Sequence, residues 1–218
     1  MKGIVLSVKH TGRTGDSARR VLSVLFGNRA LLAFAAALLC GMVLGVCFAV
    51  SAGESMSSSL DFLFMTNLTA RLNQSVFGTF CACFASDFLF LLGVYLLGFA
   101  PWGVPFVCAA ILFKGFGTGL AAGHLASAYS LSGVGFYLLI MLPGTFLFCL
   151  SLVKFSVCAF DYSKNIFLLT VKKSTAAVFE RQRAAEYSAR FLSALIITFL
   201  AATVDTALWS LFAGTFNF

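Results

Sequence analysis

Residues 30–50, ALLAFAAALLCGMVLGVCFAV, run for 21 positions without a charge or a proline. As a helix this stretch reaches about 30 Å, the thickness of a bilayer's hydrocarbon core. In water it would have to be buried whole, and the chain has little polar material to cover it. Of the 218 residues, 60% are hydrophobic and 11% charged, against roughly 45–50% and about 25% in an average soluble domain. A water-soluble fold is excluded.

Further apolar runs follow at Phe88–Ala100, Phe106–Gly123, Val134–Val153 and Phe191–Phe212. The first is too short to cross alone, and extending it back to Gly78 immerses Asp87. With the break Pro101-Trp102-Gly103-Val104-Pro105, the second and third runs read either as two full spans or as a re-entrant hairpin. The expected fold is therefore all-α: a polytopic membrane helix bundle of about five transmembrane helices, with such a hairpin as the alternative and with amphipathic interfacial helices. A cleaved signal peptide ending near Ser51-Ala52 is the rival for the first run, but a signal h-region covers only about 7–15 residues.

One membrane domain, 1–218, accounts for the whole pattern, with three segments outside the bilayer. Residues 1–29 form a basic tail. In residues 51–77, Leu60, Phe64, Leu68, Leu72 and Val76 recur every four positions, the stripe of an amphipathic helix. Residues 154–190 form a basic, mixed-charge cytoplasmic loop with helix-forming stretches and the apolar patch Ile166-Phe167-Leu168-Leu169, read as an interfacial helix. The tail and this loop together hold 13 of the 15 Lys and Arg residues. An odd number of crossings puts both on one face, so the positive-inside rule predicts a cytoplasmic N-terminus and an external C-terminus. The net charge of +7 is thereby read as a membrane-orienting charge and not as a nucleic-acid surface. Trp102 and Trp209 are expected at opposite membrane interfaces.

Catalytic chemistry finds little purchase. The two histidines, His10 and His124, stand in no H-E-x-x-H context, and there is no phosphate-binding G-x-x-x-x-G-K-[ST]. Neither a metal site nor a cofactor is expected. Most of the seven cysteines lie in apolar runs, where a thiol behaves as a small hydrophobe; Cys81 and Cys83 form a C-x-C pair too short of ligands to define a site.

Asp87, Lys114 and Asp205 fall inside predicted spans, where ionisable residues are rare and find partners. Counting about 1.5 Å per residue from the nearest break, Lys114 lies about 14 Å deep, Asp87 about 20 Å and Asp205 about 22 Å. The expected partner of Lys114 is Asp205, with Asp87 second. Gly115, Gly119 and Gly123 make a tandem G-x-x-x-G run, and Gly41 and Gly45 another, so close helix approach is expected, within one chain or between two copies. Pro143 should kink its span. Asp61, Asn67 and Arg71 back the external stripe and are candidates for partner binding.

The stretch Leu92-Gly-Val-Tyr-Leu-Leu-Gly98, the prolines at 101 and 105, Phe113-Lys-Gly115 followed by Gly119 and Gly123, and Leu142-Pro143 together resemble the stage II sporulation protein M family, over about Asp87 to Val153. In spore-forming bacteria that family is an integral membrane component of an engulfment complex, associated with peptidoglycan-degrading partners. The resemblance implies a non-enzymatic scaffold of a cell-envelope remodelling complex in the bacterial cytoplasmic membrane, with peptidoglycan hydrolases or other envelope proteins, membrane lipids and a second copy as partners. A permease-like transport subunit with a polar path near Lys114 is the alternative.

Overall fold

The computed structural model describes residues 29–51, 75–172 and 177–212, and every element among them is helical. Helix α1 spans Arg29–Ser51, α2 Val76–Phe99, α3 Gly103–Phe136, a π-helical turn Tyr137–Met141, α4 Leu142–Lys172 and α5 Ala177–Phe212. Four helical stretches are long and apolar enough to cross a membrane: Arg29–Ser51, Val76–Phe99, Gly103–Thr170 and Arg183–Phe212. The chain is a multi-pass membrane protein. Its outer surface is what lipid requires, with Leu39, Val43, Leu89, Leu96, Ile196 and Leu200 all more than half exposed.

Local chemistry sets the boundaries. Ser75 caps α2, its hydroxyl accepting from the Gly78 amide at 3.2 Å. Val76, the last residue of the amphipathic stripe, therefore belongs to α2, as does Phe77; residues 52–74 of that segment, with Asp61, Asn67 and Arg71, lie outside the described residues, as does the tail before Arg29. At the other end of α2, Ala100 is extended (φ −85°, ψ 131°), the conformation that a following proline enforces. The chain turns through Pro101 and Trp102, tied by Gly103 N–H to the Ala100 carbonyl (2.9 Å) and by Ser163 Oγ to the same oxygen (2.6 Å). α2 thus takes the full-length form, with Asp87 inside it.

The third stretch does not run straight. Ser130 has φ 52° and ψ −132°, the first central position of a type II′ turn, and the chain doubles back there. A Cβ on Gly133 would meet the Leu125 carbonyl, and Tyr137 Oη donates to the Thr118 carbonyl across 3.4 Å.

Pro143 does not produce a simple kink. It lacks the N–H that would bond to Leu139, and the turn before it is π-helical, closed by the Leu142 amide on the Tyr137 carbonyl. The widened turn absorbs the missing donor and re-phases the helix beyond it.

The helix-forming stretches of the 154–190 segment are helical, as continuations of the flanking helices. α4 continues to Lys172 and α5 begins at Ala177, so both helices project past the Ala100 turn as an antiparallel arm. No Gly or Pro occurs between Gly144 and Phe212 to stop either helix. Its base is aromatic: Tyr187, 3% exposed, stacks on Tyr162 (4.6 Å), Tyr95 (5.2 Å) and Phe155 (5.4 Å) and donates to the Tyr95 carbonyl at 3.0 Å. Trp209 is buried edge-on against Phe136, whereas Trp102 is 74% exposed.

α1 and α3 run parallel and in close contact. A Cβ on Gly41 or Gly45 would strike the Leu112 or Phe116 carbonyl, and one on Gly115 or Gly119 the Leu38 or Met42 carbonyl. Both glycine runs are thus used against each other within one chain, the close backbone approach that small residues permit in lipid.

Candidate functional site

Two apolar clusters make up the core. One gathers Leu91, Val94, Val107, Ile111, Phe148 and Leu152 toward the Ala100 turn; the other gathers Ala121, Leu125, Phe136, Tyr137, Ile140 and Trp209 toward Ser130. Between them each of four helices contributes polar or small residues: Cys83, Ser86 and Asp87 from α2, Lys114, Gly117 and Thr118 from α3, Gly144 and Thr145 from α4, and Asp205 from α5. They line a cavity of about 80 Å³, large enough for several waters at about 10–15 Å³ each.

The ion pair is Lys114 with Asp87, Nζ to Oδ1 at 2.8 Å, with the two side chains 12% and 17% exposed. The expected pairing with Asp205 is corrected. The turn after α2 makes α2 and α3 antiparallel neighbours, and residues equidistant from that turn face each other: Asp87 stands 13 positions before Ala100 and Lys114 14 after it. The ammonium also lies over the rings of Phe90 (4.9 Å) and Phe148 (4.8 Å), whose negative faces add to the attraction. The lysine is thus held by one carboxylate and two rings.

Asp205 has a different partner. It is 8% exposed, and Cys83 Sγ donates to its Oδ2 at 3.1 Å. Gly144 makes room for it, since a Cβ there would meet Asp205 Cβ and the Ala201 carbonyl. Cys83 was weighed in the sequence only as half of a C-x-C pair and set aside, although it lies four residues before Asp87 and so on the same helical face. Gly115, Gly119 and Gly123 point to α1, while Gly117, Thr118 and Ala121 line the cavity; α3 thus has a packing face and a site face. Pro143 does not line the cavity, but its neighbours Gly144 and Thr145 do.

Chemically, the layer combines one compensated charge pair with a second carboxylate held by a thiol, around space for water. It can order waters or a small polar solute at mid-bundle. Among the described residues no group of three or more His, Cys, Asp or Glu side chains is placed to hold a metal ion. No protein-family model matches the chain, and neither a curated protein nor a solved structure matches it.

Proposed function

We propose that this chain is a non-enzymatic scaffold of a bacterial cell-envelope remodelling complex, of the stage II sporulation protein M kind, crossing the cytoplasmic membrane five times. The observation that supports this reading is where the resembling residues act. Gly98 receives Tyr187, Lys114 pairs with Asp87, Gly115, Gly119 and Gly123 seat α1, and Leu142-Pro143 follows the π turn. The motif thus works as the packing code of one bundle, and partners are left with the α4–α5 arm and the segment between α1 and α2. The fold-back at Ser130 divides the third apolar stretch in two, which supports reading the four stretches as five crossings. Residues 154–190, Arg29 and the Ala100 turn then share one face, and the basic charge assigns that face to the cytoplasm.

Affinity isolation from native membranes tests the scaffold reading. A stoichiometric envelope protein is expected to accompany the chain. Charge reversal at Asp61 and Arg71 should reduce the co-isolated partner several-fold without lowering the amount of the chain itself. Unchanged co-isolation would remove that segment from the binding surface, and isolation of the chain alone would count against the scaffold.

Orientation is tested separately with an impermeant maleimide and Lys172→Cys. The variant should label no more than the parent protein in intact cells and clearly more in opened membranes. Labelling from outside would invert the topology.

A second reading, a transport subunit, draws on one observation: the cavity joins Asp87, Lys114, Asp205 and Cys83 at mid-bundle. Its path would run through that layer, and it requires the ion pair for function beyond folding.

A further inference from the structure

A concavity lined almost wholly by apolar atoms opens between α1 and α4. α1 meets α4 near its start, with the rings of Phe34 and Phe160 5.7 Å apart, and beyond that point the glycine contacts hold α1 against α3. The gap between α1 and α4 is a groove of about 360 Å³. Leu31, Ala35 and Leu39 form one wall, Phe146 and Leu150 the other, and Thr118 and Tyr137 reach its floor.

Two features select an occupant. The groove runs from Leu31 to Met42 on α1 and from Lys154 to Leu142 on α4, which at 1.5 Å per residue is about 17 Å, close to half of a hydrocarbon core of about 30 Å. That is the depth of one leaflet. Its mouth is cationic: exposed Lys154 stands at the end of the groove and also lines a smaller pocket of about 190 Å³ shared with Arg190. An acyl chain fits the first feature, and an anionic phosphate the second.

We propose that this groove binds one anionic phospholipid from the leaflet on the Lys154 side, with an acyl chain along α1 and α4 and the phosphate on Lys154. Lys114, the other cation near the groove's inner end, is already engaged by Asp87 at 2.8 Å. The proposal is independent of which face of the membrane is cytoplasmic and of whether the protein is a scaffold or a transporter.

Native mass spectrometry of the full chain, purified in detergent and titrated with phosphatidylglycerol or phosphatidylcholine, provides the test. Wild type should retain one phosphatidylglycerol with at least about five-fold preference, the scale of one Lys beside an anionic headgroup. Lys154→Gln should abolish the preference and Lys154→Arg keep it. Leu39→Trp, which fills the groove from its exposed rim, should reduce phosphatidylglycerol retention while the thermal unfolding of the protein in phosphatidylcholine stays unchanged. Glycerol 3-phosphate, which has the anion and no chain, should fail to displace the lipid. Equal retention of the two lipids by wild type would overturn the proposal, leaving only ordinary boundary lipid. Undiminished preference in folded Lys154→Gln, undiminished retention in folded Leu39→Trp, or displacement by glycerol 3-phosphate would each overturn it too.

Discussion

Lys114→Met is expected to strip most of the folded protein from the membrane, and Asp87→Leu in the same chain to restore much of it. The single change leaves Asp87, with a side chain 17% exposed, without its counter-charge at mid-bundle. Breaking a buried pair from one side costs about 3–5 kcal/mol, whereas replacing both partners by apolar groups is often neutral. The cation–π contacts with Phe90 and Phe148 would be exchanged for methionine packing on the same rings, which recovers part of their contribution. Lys114→Met with Asp205→Leu should not be rescued, because Asp205 is held by Cys83 and removing it leaves Asp87 still uncompensated. Folded yield and thermal unfolding across the double-mutant cycle check this. Rescue by the Asp205 change instead of the Asp87 change would show that the pairing is wrong. A stable Lys114→Met, Asp87→Leu protein that has lost function would move the balance from scaffold to transport.

The identity of that pair was within reach of the sequence, and the reason lies in the turn. Depths counted from separate membrane edges leave Asp205 and Asp87 nearly level and say nothing about which helix stands beside α3. The three residues Ala100, Pro101 and Trp102 do say it: a connection that short makes α2 and α3 neighbours, and the near-symmetry of positions 87 and 114 about Ala100 supplies the register. The Asp205–Cys83 contact was not legible in this way. α2 and α5 are distant in sequence, and the approach that joins them depends on Gly144 and on the re-phasing of α4 by the π turn.

Elements with a local cause were readable, and those with a tertiary cause were not. α1 covers residues 29–51 against an expected 30–50, because an uncharged run of that length has one stable conformation in lipid. The helix-forming character of residues 154–190 was readable, but their continuity with the flanking spans was not, because charge was weighed above the absence of breakers between Gly144 and Phe212. What holds the arm upright is a stack of rings from residues 95, 155, 162 and 187, drawn from three helices. No single segment announces it. Trp209 was placed near an interface by the span order, and its burial came from elsewhere in the chain: the fold-back at Ser130 brings Phe136 to cover it.

Gly119→Leu is expected to be the most damaging single substitution on the α1–α3 contact, and Gly93→Leu to be nearly silent. The two glycines share a chemistry and both lie in membrane helices, so helix propensity alone predicts a similar small gain for each. Their surroundings differ completely. A Cβ at Gly93 meets nothing within 4 Å, and its added side chain would enter lipid. A Cβ at Gly119 would run into the Met42 carbonyl, a backbone group that can yield only if the whole of α1 moves away. Overpacking of a well-filled core typically costs about 1–3 kcal/mol, occasionally more; here the obstacle is main chain, and Gly41, Gly45 and Gly115 would lose their contacts along with Gly119. Loss of several contacts at once places the expected cost at the upper end. Thermal unfolding of the two purified variants in the same detergent provides the comparison. Equal effects would mean that the parallel α1–α3 packing is wrong. Gly119→Leu protomers that unfold like wild type but lose a larger assembly would assign the glycine face to a contact between two copies.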